Sequence, residues 1–222
     1  MWPTEQNRQA WDERYGGRRE PPARLPDAVR QRLPDLRGKH VLHLPSRSGE
    51  VAAELMELGA LVTGVDADER ALALARERAP DAAFFQAEPH ELPLQFRRGR
   101  FGVVYAGEGT LEAVDDLAPL ASGLAAALRT NGRLLLYDRH PVAGCVDPVD
   151  LRWRESYFEE GIWGLGQIAV AVVETGLQLA TLAELPPPTA ETGGRLDPRI
   201  PAYFLLVADR VGRPGTAAKQ RR

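Results

Sequence analysis

Two residues 17 positions apart have the chemistry needed to hold a nucleoside. Gly49 stands where an apolar run gives way to helical spacing, and free backbone N–H groups at a helix start can bind a carboxylate or a phosphate. Asp66 ends the next apolar run, where a carboxylate can accept hydrogen bonds from both hydroxyls of a ribose. A helix cap or a surface acid is the alternative for Asp66, but its position directly after an apolar strand favours ribose binding.

Three further candidates follow later apolar runs. Glu88 comes after the third run, and a small, flexible stretch at residues 106–109 comes after the fourth. His140 comes after the fifth, where it could take a proton from an acceptor hydroxyl or amine. The alternative for His140 is a structural turn formed with Pro141.

These candidates need elements that bring them together. Apolar runs alternate with segments of helical spacing, which predicts an α/β fold: a Rossmann-like, doubly wound, mostly parallel sheet of seven strands with helices on both faces. The predicted strands are 40–44, 61–65, 82–86, 101–106, 133–137, 178–183 and 203–208, and the last two are expected to form an antiparallel edge. The predicted helices are 51–58, 69–79, 111–128 and 165–175. Because ligands of such sheets bind beyond the carboxyl ends of the strands, the candidates are expected at one edge.

Composition narrows the class of protein. Of the 222 residues 44% are hydrophobic and 27% charged, as in ordinary soluble proteins. The net charge of −3 argues against a nucleic-acid partner, although it leaves room for a local basic patch. No apolar stretch approaches the roughly 20 residues of a membrane span. The polar N-terminus and the single cysteine, Cys145, predict a cytoplasmic protein, and the one cysteine and four histidines show no metal-ligand spacing.

The loop after the first strand separates two classes of cofactor. An acid after the second strand suits NAD and S-adenosylmethionine (SAM) equally. A dinucleotide site needs G-x-G-x-x-G for the approach of a pyrophosphate, whereas residues 45–49 read P-S-R-S-G. SAM has no phosphate, so a SAM site can lack these glycines more easily than a dinucleotide site can. A nicotinamide-dependent oxidoreductase is therefore the weaker hypothesis.

Five segments in order resemble the class I SAM-dependent methyltransferases, and the likeness extends from about Asn7 to Asp209. The segments are 41–49 (for V-L-D-L-G-x-G-x-G), 62–66 (the ribose-binding strand), 87–93 (for G/A-D-A-x-x-L-P), 101–105 (for F-D-V-V-Y) and 128–134 (for L-R-P-G-G-x-L). A bacterial subgroup is still more similar, through residues 7–12, 138–141, 157–161 and 174–177.

The resemblance implies SAM as cofactor and SN2 transfer of its methyl group to an oxygen, nitrogen or carbon nucleophile of a small molecule. It implies an N-terminal arm over the cofactor site (1–38, with Trp11 and Tyr15 as lid candidates) and the methyltransferase domain (39–210). The remaining tail (211–222) is expected to be disordered because it is a polar chain terminus. A monomer or homodimer without nucleic-acid or membrane partners is expected. The implied cofactor-binding residues are Tyr15, Leu44, Ser46, Gly49, Asp66, Ala67, Glu88, Pro89 and Ala106, and His140 is the catalytic candidate.

The chain departs from the family pattern in its first motif. His43 replaces a carboxylate, and Pro45 and Arg47 replace two glycines. A protonated His43 or Arg47 could oppose the sulfonium cation of SAM, and Arg47 could equally pair with its methionine carboxylate. Pro89 lacks the backbone N–H that the family offers to adenine. These departures support an alternative function, that of a non-catalytic methyltransferase-like binding or regulatory protein.

Overall fold

The computed structural model describes residues 24–112, 114–147, 152–159, 161–187 and 199–212. Trp11 and Tyr15 lie outside the described residues, as do most of the predicted arm and residues 213–222 of the predicted tail. The predicted boundaries of arm, domain and tail stay predictions.

Seven strands form one sheet in the order β3-β2-β1-β4-β5-β7-β6. The strands are β1 (His40–Leu44), β2 (Leu61–Asp66), β3 (Ala83–Gln86), β4 (Phe101–Ala106), β5 (Leu128–Arg139), β6 (Gln178–Leu185) and β7 (Tyr203–Asp209). β1 to β5 pair in parallel, and β7 is antiparallel to both β5 and β6. The predicted fold class, with its antiparallel edge, is confirmed.

Helices cover both faces of the sheet. They are α1 (Asp27–Arg30), α2 (Glu50–Glu57), α3 (Glu69–Arg78), α4 (Leu117–Ala127), α5 (Pro141–Gly144) and α6 (Leu165–Glu174). α1, α2 and α3 pack on one face, where Val29, Leu55 and Leu72 are buried together. α4 and α6 pack on the other, where Leu124 and Ile168 are buried. The side chains of successive strand residues point to opposite faces, so β1, β2, β4, β5 and β7 each contribute to both cores.

The described part of the predicted arm is bound to the sheet. Leu25, Val29 and Leu36 are buried in the same cluster as Val41 of β1. Burying a leucine or valine side chain stabilises a fold by roughly 1.5–3 kcal/mol, so residues 24–36 are fixed to the domain that follows them.

The segment between β4 and β5 differs from the prediction. The helix expected at 111–128 begins at Leu117, after the Asp116 carboxylate accepts the Ala118 N–H at 2.9 Å. β5 begins at Leu128, and the expected helix stop around Gly132 is an irregularity within that strand. A Cβ on Gly132 would lie 2.8 Å from the Arg129 carbonyl oxygen, so this bend requires glycine.

Within the described ranges, no helix combines the length and the apolar character that crossing a bilayer requires.

Candidate functional site

The loop after β1 is folded tightly against β2 and α3. The Ser46 N–H donates to the Val65 carbonyl at 2.9 Å, and Arg47 and Gly49 have positive φ values of 45° and 85°. A Cβ on Gly49 would lie 2.8 Å from the Cα of Ala75 in α3. Gly49 therefore allows the start of α2 to approach α3 closely, and its predicted cofactor contact stays a prediction.

Asp66 ends β2 with its carboxylate buried, and two backbone groups orient it. Its Oδ2 accepts the Arg47 N–H at 2.6 Å, and its Oδ1 accepts the Asp68 N–H at 3.0 Å. A carboxylate has about four acceptor positions, so roughly two remain for hydroxyl donors. The geometry is compatible with the ribose-binding role predicted for Asp66.

The Arg47 side chain bridges the loops that follow β1 and β4. Its Nη2 donates to the Glu108 carbonyl at 3.0 Å. Beside this bridge lies the pocket of the carboxyl edge, with a volume of about 120 Å³. The lining residues are Arg24, Pro26, His43, Pro45, Ser46, Arg47, Glu50, Val51, Tyr105, Gly107, Glu108 and Tyr137. Small-molecule pockets usually measure roughly 300–1,000 Å³, so this pocket alone is smaller than a cofactor site, and Arg47 is one of the side chains that narrow it.

His43 is a buried, neutral side chain of this pocket. Its ring stacks on Tyr105 with centroids 5.2 Å apart and an interplanar angle of 5°. Burial lowers the pKa of His43 to about 3, and the positive charge of Arg47 acts in the same direction. The protonated His43 considered from the sequence is therefore absent near neutral pH, and His43 brings no charge against a sulfonium.

Two buried polar atoms of the pocket residues have no hydrogen-bond partner among the described residues. They are His43 Nδ1 and Ser46 Oγ. Because more than nine in ten buried polar groups are satisfied in folded proteins, such atoms call for a ligand or water as partner. A bound ligand with polar groups can supply the missing partners.

Tyrosines form the sheet-side wall of the pocket, and the sequence analysis did not identify them. Tyr105 faces His43 across the β1–β4 pairing, and Tyr137 stacks on Tyr203 with centroids 5.1 Å apart. Burial raises the pKa of both Tyr105 and Tyr137, so these phenols stay protonated. Strand alternation was the available signal, since it places the side chains of His43, Tyr105 and Tyr137 on one face of the sheet.

Asp138 shapes the loop that the Arg47 bridge contacts. Its Oδ1 accepts the Gly109 N–H at 3.0 Å and the Arg139 N–H at 2.8 Å, and its Oδ2 accepts the Leu111 N–H at 3.0 Å. These bonds hold the chain after β4 as turns where the sequence predicted a helix. Burial nevertheless raises the pKa of Asp138 to about 6, while the three hydrogen bonds act to lower it.

His140 lies on the other face of the sheet, against Phe204. Its Nδ1 accepts the Val142 N–H at 3.2 Å and so caps α5. Its Nε2 lies 3.1 Å from Glu184 Oε1 without hydrogen-bond geometry, and burial lowers the pKa of the ring. Since Nδ1 accepts a bond, the neutral ring carries its proton on Nε2. This geometry favours the structural turn, and the catalytic role of His140 stays a prediction.

The other predicted cofactor residues lie after the parallel strands at the same edge. Leu44 and Ala106 are buried at the ends of β1 and β4. Ala67 is exposed after β2, Glu88 is half-buried after β3, and Pro89 is buried beside it. The structure thus places these residues near Asp66 in the fold, while their contacts with a cofactor stay predictions.

Comparison with known proteins finds a similarity over the central part of the chain. Residues 42–136 match the methyltransferase domain family. An uncharacterized methyltransferase of Synechocystis is 32% identical over 104 residues, which are 46% of this chain and 48% of that protein. The chain thus spans about half the length of the curated relative that it matches.

Solved structures share the fold over most of the chain. An S-adenosylmethionine dependent methyltransferase from Mesorhizobium loti is 23% identical, with a TM-score of 0.68, and the match covers 82% of this chain and 96% of that one. A SAM-dependent methyltransferase structure from Methanosarcina mazei is 15% identical, with a TM-score of 0.62 and coverages of 86% and 100%. These findings confirm the fold and the resemblance to class I methyltransferases, whose cofactor is SAM.

The residues at the carboxyl edge fit this cofactor. Asp66 keeps acceptor capacity for a ribose, and the unpartnered His43 Nδ1 and Ser46 Oγ belong to the adjoining pocket. SAM also carries an ammonium and a carboxylate that can pair with such atoms. The Arg47 bridge narrows this edge, and it consists of one side-chain hydrogen bond.

Proposed function

We propose that this chain, whose residues 42–136 match the methyltransferase domain family, is a SAM-dependent enzyme that methylates an oxygen, nitrogen or carbon nucleophile of a small molecule. The observation that carries the proposal is the Asp66 carboxylate, oriented by two backbone N–H groups and with acceptor positions left at the carboxyl edge. Bound SAM supplies a methyl group made electrophilic by its sulfonium.

The chain's own residues would hold and orient the two reactants. Asp66 would accept the ribose hydroxyls, and His43 and Ser46 would contact the methionine end of the cofactor. Tyr105 and Tyr137 would give the acceptor an apolar wall that excludes water. Holding donor and acceptor in line can supply much of the rate acceleration without a strong base.

The groups of this pocket suit orientation better than proton transfer. His43, with a pKa of about 3, is too weak a base at neutral pH to hold a proton taken from an alcohol or ammonium. Tyr105 and Tyr137 remain protonated. The proposal therefore favours acceptors that are nucleophilic as bound, with His140 as an untested base on the opposite face.

Titration of the full chain with S-adenosylhomocysteine (SAH) and SAM, with NADH as control, tests the cofactor assignment. Micromolar binding of the first two, without NADH binding, is the expected result.

Asp66→Ala should abolish binding because the ribose loses its acceptor. Asp81→Ala is the control: it removes an exposed carboxylate in the turn before β3, away from the carboxyl edge, and it should leave affinity unchanged. Unchanged affinity in Asp66→Ala would refute the role of Asp66.

The second candidate function is a non-catalytic methyltransferase-like binding or regulatory protein. The Arg47 bridge supports it, because the bridge and the 120 Å³ pocket leave little room for a cofactor. A folded chain that binds neither SAM nor SAH, and that gains no binding when Arg47 is replaced by glycine, would establish this candidate over the first.

A further inference from the structure

A second pocket lies at the opposite edge of the sheet, beside the amino ends of β4 and β5. Its volume is about 340 Å³. It is lined by Arg97, Arg98, Gly99, Ala126, Leu128, Arg129, Thr130 and Arg210. Among the described residues the lining contains four arginines and no carboxylate, and we call it the arginine pocket.

Two of the four arginines are held in place by backbone carbonyls. Arg97 Nε donates to the Leu92 carbonyl at 2.7 Å. Arg210 Nη1 donates to the carbonyls of Ala125 and Leu128, at 3.0 and 2.7 Å, near the end of α4. Each bond uses one nitrogen of a guanidinium that has three, so both side chains are fixed while most of their N–H donors stay available.

The other two arginines have no partner within the described residues. Arg98 and Arg129 are exposed, and neither forms a hydrogen bond or an ion pair with the part of the chain that the structure describes. Gly102 leaves room beside Arg129, since a Cβ at Gly102 would lie 3.4 Å from Arg129 Nε.

Several arginines elsewhere in the described ranges are paired with acids instead. Six of those arginines lie within ion-pair distance of a carboxylate: Arg30, Arg37, Arg76, Arg78, Arg133 and Arg154. Four guanidinium groups gathered without a carboxylate repel one another, and a bound anion relieves that repulsion. The chain as a whole has a net charge of −3, so the cluster is a local feature rather than a consequence of a basic protein.

We propose that the arginine pocket binds the phosphate or diphosphate group of a small molecule. The planar guanidinium fork pairs with phosphate oxygens through two parallel N–H bonds, and several forks match a group with two or more negative charges. A concave site of about 340 Å³ is the size of a small-molecule pocket, whereas a nucleic-acid backbone needs an extended track. This site is separate from the proposed cofactor edge and does not depend on the proposed methyl transfer.

The test is isothermal titration of the full chain with inorganic diphosphate at low salt. We expect binding that weakens as salt is raised, and a loss of about tenfold or more in the double variant Arg98→Gln/Arg129→Gln, which removes two sets of charge-assisted bonds. Both side chains are exposed and form no hydrogen bond or ion pair with the described residues, and circular dichroism checks that the variant is folded.

Two control variants locate the bound anion. Arg70→Gln removes an exposed arginine of α3, and Arg24→Gln removes one from the pocket of the carboxyl edge. Both should bind diphosphate as the parent chain does. Absence of diphosphate binding, or an equal loss in either control, would overturn the proposal. Single-stranded RNA that binds more tightly than diphosphate and is not displaced by it would overturn it in favour of a nucleic-acid surface.

Discussion

The backbone N–H of Arg47 donates to Oδ2 of Asp66 at 2.6 Å, so the residue that replaces a family glycine is tied to the residue expected to bind ribose. The same Arg47 reaches the Glu108 carbonyl with its side chain. One residue therefore fixes the loop after β1 to both β2 and the loop after β4. Any change at Arg47 acts on the whole carboxyl edge.

Replacing Arg47 with glycine should strengthen cofactor binding. The substitution removes the side-chain bridge, keeps the N–H that Asp66 accepts, and suits the positive φ of 45°. Removing the one charge-assisted hydrogen bond that closes the pocket should raise the affinity for SAH about tenfold, because ligand binding no longer has to break this bond. Because SAM carries a sulfonium cation and SAH does not, affinity for SAM should rise more than affinity for SAH.

Arg47→Gln serves as the control for charge, since it removes the cation but keeps a side chain at position 47. It should improve SAM binding relative to SAH while improving SAH less than glycine does. If both variants instead lose affinity for SAM and SAH alike, Arg47 pairs with the methionine carboxylate that both ligands share. Isothermal titration of the three proteins gives all of these comparisons.

The sheet could be predicted from the sequence because the apolar runs that indicate its strands are local patterns. The apolar runs of β1, β2 and β4 and the acid after β2 could be read from residue types alone. The wall of the pocket could not be predicted, because the stacking of His43 on Tyr105 depends on the register between strands that are distant in the chain.

The error at residues 111–116 has a tertiary cause. This segment has helical spacing, but the Asp138 carboxylate, 27 residues from Leu111, accepts the N–H of Leu111 and, just before the segment, the N–H of Gly109, and so holds the chain in turns up to residue 112. A long-range bond to a buried acid leaves no trace in local periodicity. The Arg47 bridge to Glu108 was missed for the same reason, since its ends lie 61 residues apart.

Buried His43 should make the folded state sensitive to acid. Its pKa is about 3 when folded, against about 6.5 for an unfolded histidine, so below pH 6.5 the unfolded chain binds a proton that the folded chain does not. This group's contribution should fall by about 1.4 kcal/mol per pH unit between pH 6.5 and pH 3. The control variant His43→Phe keeps a ring on Tyr105 but does not titrate. Urea unfolding of both proteins at several pH values gives the free energy of unfolding of each, and the difference between the two pH curves is the contribution of His43. Parallel curves across this range would show that His43 titrates normally.

Asp138 should act in the opposite direction over a similar range. Its pKa is about 6 when folded and about 3.9 when unfolded, so between these values the folded chain binds the extra proton. The stability that Asp138 contributes is fully present below pH 3.9 and is lost as pH rises through 6, by about 1.4 kcal/mol per unit. Asp138→Asn, which does not titrate, should remove this slope, and the parent chain should become less stable relative to the variant from pH 4 to 6. A difference in unfolding free energy that stays constant over this range would contradict the raised pKa of Asp138. The titrations of Asp138 and His43 offset each other in the parent chain, and the variants Asp138→Asn and His43→Phe separate them.

Gly49 should tolerate no side chain, for reasons of packing as well as conformation. An alanine Cβ at this position would lie 2.8 Å from the Cα of Ala75, a backbone atom that cannot rotate away, and the φ of 85° adds the cost of a left-handed alanine. Gly49→Ala should destabilise the fold by about 2–3 kcal/mol, the sum of steric overlap and left-handed strain. The matched control is Gly166→Ala in α6, where a Cβ meets no atom within 4 Å and the change should stabilise the helix by up to about 1 kcal/mol. Chemical unfolding compares the three proteins, and an equal effect of the two substitutions would show that the close approach of α2 to α3 does not constrain position 49.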